Sequence, residues 1–224
     1  MVKKRKSKKT SSAERKITRE LLWILGFMIF LVLVFVITMD IVKSFKTFEY
    51  EDLTFTKEIS RVGNVPVFHY YYYFYNKQNK FIKYNLYLRV DPRENPVELE
   101  GEKIIMDNKN VVFISNFRDS WVTSCDDSVL GVANLASFLG DNDFVVQGGN
   151  LDFHDAKARD EDWITCDTKP HNPVIKIVEG AESKITIREN CYEISISSCE
   201  DFLAATEKFT LQSLLDARER DNLN

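Results

Sequence analysis

The sequence predicts an α+β protein in which an N-terminal transmembrane helix precedes one extracytoplasmic domain. That domain is expected to hold an aromatic β-hairpin, a βαβ unit and a C-terminal helix. Three observations carry this reading. Leu21 to Met39 is a 19-residue run without a formal charge. The stretch from Val65 to Val90 combines dense aromatic residues with two-residue alternation. All four cysteines, Cys125, Cys166, Cys191 and Cys199, lie in the second half of the chain.

At about 1.5 Å per helical residue the uncharged run measures roughly 28 Å, close to the hydrocarbon thickness of a bilayer. Only Gly26 and Thr38 interrupt it, so it has no polar stripe of the kind a core helix shows. Thr38 to Val42 offers no small-residue cleavage site, which favours an uncleaved signal-anchor. No cysteine lies near enough to take a lipid. Residues 1–20 carry nine Lys/Arg against two Glu, leaving 21 basic against 32 acidic residues beyond them. The positive-inside rule then sets the N-terminus in the cytoplasm and residues 40–224 outside. Trp23 is expected at the inner interface, and Phe45, Phe48 and Tyr50 at an outer aromatic belt. The expected division is a basic tail over 1–20, the span over 21–39, a stalk or first strand over 40–60, and the domain over 61–224.

The basic tail reads as a disordered stop signal attracted to anionic lipid. Lys3 to Lys9 is the kind of run that binds phosphate, but it has no aromatic residue to stack bases. The bilayer is therefore an expected partner and nucleic acid is not. Some 185 residues beyond the span suffice for one core, and no repeat or Gly/Ser-rich linker divides them.

Within the domain, Ile82, Tyr84, Leu86, Leu88 and Val90 alternate with Lys83, Asn85, Tyr87 and Arg89, the period of a half-buried strand. Five polar residues, Asn76 to Lys80, join it to Val65–Tyr75 as a hairpin. A strand as aromatic as Phe68 to Tyr75 has rings on both faces. Those on the wet face are available to stack on sugars, to rest on the membrane interface, or simply to pair across the ladder. Asp91-Pro92-Arg93-Glu94-Asn95-Pro96 then breaks the chain, and a short strand is expected near 97–105.

Val111–Ser115, Ser128–Leu139 and Phe144–Val146 read as strand, helix and strand, hence a βαβ unit with parallel strands. The helix would bury Val129, Val132, Ala133, Ala136 and Leu139. Ligands of open α/β sheets sit beyond the carboxyl ends of strands, here Asn116–Asp127 and Gln147–Asn150. No phosphate-loop or dinucleotide fingerprint occurs there, so no cofactor is expected. In the acidic segment 141–162, Asp152, His154 and Asp155 are the candidate ligands for a divalent cation, with Asp141, Asn142 and Asp143 nearby. They match no complete motif, and the reading is a solvated loop without a metal.

Three strands are expected at Pro173–Val178, Lys184–Arg188 and Tyr192–Ile196. A helix should follow over Ser198–Arg220, started by Ser198 and Asp201 and burying Phe202, Ala205, Phe209, Gln212 and Leu215. If Cys191 and Cys199 bracket one extended strand, their Cα atoms stand about 26 Å apart. A disulfide needs less than about 7 Å. Cys125 and Cys166 should therefore each bond one of that pair, in either combination.

The set Leu88-Arg89-Val90-Asp91-Pro92-Arg93, Ile164-Thr165-Cys166, Asn190-Cys191-Tyr192 and Ser198-Cys199-Glu200 resembles a group of uncharacterised archaeal single-pass membrane proteins. The resemblance covers most of the outer domain and implies its topology and disulfides, but no activity. The expected function is a membrane-anchored interaction or assembly module of the cell envelope, with another envelope or surface protein as partner. The alternative is a membrane-tethered enzyme acting on envelope polymers through residues 141–162. No catalytic motif marks a site around His69, His154 or His171, so the reading leans away from an enzyme.

Overall fold

A computed structural model describes residues 12–60, 64–106, 111–117 and 120–222. The chain divides between Phe48 and Glu49 into two compact units. The first holds helix α1 (Ser12–Lys46), which contains Arg19–Met39, a stretch of mean hydropathy 3.0 that is long and apolar enough to cross a membrane. The helix begins well before the apolar run, so residues 12–20 are helical where a disordered tail was expected: Ser12 to Glu20 contains no Gly or Pro to prevent it. The basic run Lys3–Lys9 lies outside the described residues, as does the side chain of Phe45.

Segment 40–60 is divided. Residues up to Lys46 finish α1, and the rest supplies β1 (Thr47–Tyr50) and β2 (Leu53–Ile59). With β3 (Pro66–Tyr75) and β4 (Phe81–Leu88) they form a four-stranded sheet in the order β1-β2-β3-β4. The second sheet has six strands in the order β5-β9-β10-β8-β6-β7. These are β5 (Glu98–Gly101), β6 (Val111–Asn116), β7 (Val145–Asn150), β8 (Val174–Glu179), β9 (Lys184–Arg188) and β10 (Cys191–Ile196). Strands β10, β8, β6 and β7 run parallel, and β9 runs against β10.

Helices α2 (Ser128–Asp141) and α4 (Cys199–Asn222) lie between the sheets, and a short helix α3 (Phe153–Arg159) follows β7. Phe209 of α4 meets Tyr192 of β10 edge-on at 5.6 Å, while the same helix reaches the first sheet through Glu207. Helix α4 is consequently buried on nearly every side: Phe202 to Glu207 and Phe209 to Leu211 are all buried, well beyond the single stripe read from the sequence. Its buried hydroxyls are satisfied within the helix, Thr206 Oγ1 donating to Phe202 O and Thr210 Oγ1 to Thr206 O. Asp201 at its start accepts from Ser198 Oγ, side chain to side chain where a capping box would join each side chain to the other's backbone N–H, and also from Ser183 Oγ and Ser197 Oγ.

The βαβ unit forms, with two corrections. Helix α2 buries Ser128, Gly131, Leu135, Phe138 and Leu139, whereas Val129 is 76% exposed and Ala133 is also exposed. The helix is rotated because it packs closely on α4 at Gly131, where a Cβ would stand 2.8 Å from the Phe202 ring and Thr206 Oγ1. Secondly, Gln147-Gly148-Gly149-Asn150 belongs to β7 instead of forming a loop beyond it. A side chain at Gly149 would collide with Ile164, whose segment crosses the sheet there, so the glycine serves strand packing.

Cys125 bonds Cys199, joining the starts of α2 and α4, and Cys166 bonds Cys191, tying the 160–173 segment to β10. That segment closes a small core of Phe113, Ile164 and Val174 on the face of the sheet away from the helices.

Candidate interaction surface

The β3–β4 ladder is continuous for eight residue pairs, from Phe68 opposite Leu88 to Tyr75 opposite Phe81. With no bulge, the two-residue period holds throughout. Phe68, Tyr70, Tyr72 and Phe74 turn toward the helices with Ile82, Tyr84, Leu86 and Leu88. Tyr84 meets the Phe138 ring of α2 at 5.9 Å, and Tyr72 donates a 2.6 Å bond to Asn142 Oδ1. Burial pushes the Tyr84 hydroxyl up to about 12 and raises that of Tyr72 further, so both stay neutral.

The loop that fixes this register is built on Asn76, whose Oδ1 accepts from Gln78 N and Lys80 N. Asn79 takes the left-handed conformation at φ 59°. Lys77 secures the tip from outside, its backbone N donating to Asp143 Oδ2 and its ammonium to Asp143 O.

The other face of the hairpin is bare. Tyr71 is 49% exposed, Tyr73 52%, Tyr75 68%, Phe81 62% and Tyr87 54%. Their rings form one unbroken row with His69. Tyr87 stacks on His69 at 4.6 Å, His69 lies 6.1 Å from Tyr71, Tyr71 5.9 Å from Tyr73, and Phe81 5.1 Å from both Tyr73 and Tyr75. Polar groups are set into the row. Lys83 Nζ rests 4.0 Å over the Tyr71 ring, and His69 Nε2 donates to Asn85 Oδ1 at 3.1 Å while Nδ1 faces Glu58 at 3.5 Å. A contiguous aromatic face edged by polar groups is the composition of a binding surface. Tyrosine supplies large area and a hydrogen-bonding tip while losing few rotamers.

The remaining sequence candidates are dispersed. Asp152 caps α3 by accepting from Asp155 N at 2.8 Å. Asp155 accepts from Asn150 Nδ2 and Arg159 Nε, each at 2.6 Å, and His154 lies exposed against Phe153. Among the described residues no three His, Cys, Asp or Glu side chains converge. His69, His154 and His171 sit on β3, on α3 and in the segment after α3. Of the strand-end loop, residues 118–119 lie outside the described residues. Asn116 and Thr123 of it border an apolar groove of about 340 Å³ lined also by Val132, Ala136 and Phe202.

Sequence reasoning missed Glu207. It is 4% exposed, and its carboxylate accepts from Arg89 N and Val90 N at 2.9–3.0 Å, fastening the end of β4 to α4. Burial raises its pKa to about 7 in spite of those bonds. A lone glutamate facing two amides from 118 residues earlier leaves no local pattern to read.

Neither a protein-family model, nor a curated protein, nor a solved structure matches this chain.

Proposed function

We propose that this protein is a membrane-anchored interaction module that presents the ring face of β3–β4 to another surface or envelope protein outside the cell. The observation that carries the reading is the row of six touching rings on the solvent side of the hairpin. Exposed aromatic area of this extent is unfavourable to leave wet, and burying it against a partner is where its free energy lies. The apolar stretch Arg19–Met39 supports the anchor as an uncleaved signal-anchor, and the two disulfides suit an oxidising compartment. The nine basic residues within 1–20 support a cytoplasmic N-terminus.

A photo-crosslinking amino acid at Tyr71 or Tyr73 of the full chain in its native membrane should trap one and the same partner. At Thr186, on the other sheet, it should trap none. Equal products at all three positions would remove the reading. Orientation is tested separately: a cysteine introduced near residue 10 should resist an impermeant thiol reagent in intact cells, and one near residue 221 should react.

A further inference from the structure

Among the described residues the two sheets have four edge strands, of which β1 and β5 are guarded, β7 is closed at its end alone and β4 is open. β1 and β5 are only four residues long, and β5 carries Glu98 and Glu100. The end of β7 is closed by the chain itself, Asn150 N donating to Asp162 O and Ile164 N to Asn150 O, both at 2.9 Å. β4 is different. It is eight residues long, and among the described residues no hydrogen bond from another segment reaches its backbone on the side away from β3. Its one charged side chain, Lys83, is the usual guard of an open edge, yet it leans back over Tyr71 on the neighbouring strand. What remains is a straight row of unpaired donors and acceptors.

We propose that β4 pairs antiparallel with β4 of a second copy, joining two four-stranded sheets into one of eight strands. The residues suit a two-fold axis. Opposite residues of an antiparallel pair share a face, so a register must match odd with odd and even with even numbers. With Tyr84 on the axis, Phe81 stands opposite the second copy's Tyr87, Ile82 opposite its Leu86 and Lys83 opposite its Asn85. Aromatic meets aromatic, aliphatic meets aliphatic, and the single charge meets an amide. The strand contains no acidic residue to disturb the pairing. Such an isologous contact closes on itself as a dimer instead of propagating. It uses the edge of the hairpin, including Phe81 and Tyr87 of the ring row, and leaves Tyr71 and Tyr73 of β3 to what docks on the ring face.

The test uses the full chain in lipid vesicles, where the native cysteines are all in disulfides and an introduced one is the single free thiol. Lys83→Cys and Asn85→Cys, mixed and mildly oxidised, should give at least tenfold more disulfide-linked dimer than either alone. Phe81→Glu with Tyr87→Glu sets like charges across the two-fold and should abolish the dimer. Phe81→Lys with Tyr87→Glu sets opposite charges there and should restore it. Within one copy the two positions are about 20 Å apart, so both double variants remove the same ring contacts and differ only between copies. A monomeric unsubstituted chain, cross-linking no greater in the mixture, or equal behaviour of the two double variants would each overturn the pairing. Phe81 and Tyr87 also belong to the ring row, so partner capture at Tyr71 and Tyr73 is compared between the two double variants, which lack the same two rings: equal capture in both, whatever its level, separates the ring-face reading from the pairing.

Discussion

The two sheets enclose the same helices but treat their outer faces in opposite ways. The six-stranded sheet has a polar or covered exterior: Lys176 pairs with Glu193 at 2.5 Å, Lys184 with Glu100 at 3.1 Å, and the segment held by Cys166–Cys191 lies over Phe113 and Val174. The four-stranded sheet has no disulfide and carries a naked aromatic row. One sheet is finished by its own chain, whereas the other leaves its rings exposed, and the proposed partner is what would cover them. The contrast teaches that an inner face reports on stability and an outer face on use.

The largest expected effect comes from the covalent asymmetry. Cys125→Ala with Cys199→Ala opens a 74-residue separation, and Cys166→Ala with Cys191→Ala one of 25. The chain-entropy relation gives losses of roughly 4.5 and 3.5 kcal/mol respectively. Chemical denaturation of the full chain in detergent checks both. Eight of the nine tyrosines lie on the four-stranded sheet, and Trp121 and Trp163 lie with the six-stranded one. Tyrosine near-UV ellipticity and tryptophan fluorescence should nevertheless fall together, since α4 belongs to both cores. Separate transitions would show that the halves are independent.

Phe209→Ala should cost about 3–5 kcal/mol, because it empties the contact between α4 and Tyr192. Loss of the tyrosine signal together with the tryptophan signal would again mark the helix as shared.

Glu207 gives the pH dependence. Its folded pKa of about 7 lies above the ordinary 4.5, so its contribution is fully present below about pH 4.5 and is lost as pH rises through 7. The change is at most about 3.4 kcal/mol. Asp91 and Asp201 act in the opposite sense and lower down. Arg93 holds the first, and Ser183 the second, below the usual carboxylate range, and their contributions disappear only as pH falls through that range. Glu207→Gln should flatten the slope between pH 4.5 and 7 in denaturation midpoints, while Arg89 N and Val90 N remain bonded.

The smallest expected effect on stability is at the ring face. Tyr71→Ser with Tyr73→Ser should lower the unfolding free energy by less than about 2 kcal/mol, since only cross-strand pairs on a wet face are lost. Partner capture should nonetheless vanish. A stability loss as large as that at Phe209 would make the row part of the core.

Most elements were legible because their periods are local. The β3–β4 hairpin, β6-α2-β7, the three strands β8 to β10 and α4 all follow from alternation and capping residues. The first hairpin was not, because its two-residue turn is Glu51-Asp52, held at φ 46° and 59°, where the pattern would call for Asn-Gly. The exposed side of α2 was misread because Gly131 and Ser128 form its contact face, small residues that no apolar count selects. The aromatic row was visible as composition, but its solvent side and the open edge of β4 depend on sheet order, which no single strand encodes.

Helix α4 also has a consequence in time. Strands β1 to β10 all precede it, and β4 ends at Leu88, some 110 residues before Cys199. At ordinary synthesis rates roughly ten seconds pass between them. Throughout that interval the inner side of the β3–β4 hairpin lacks the helix that dries it, and for the last 74 residues of it Cys125 stands without the thiol it is to bond. Maturation of this domain is therefore a waiting problem, and the agents that decide its yield are those that shelter a half-made tyrosine-rich sheet until the last helix arrives.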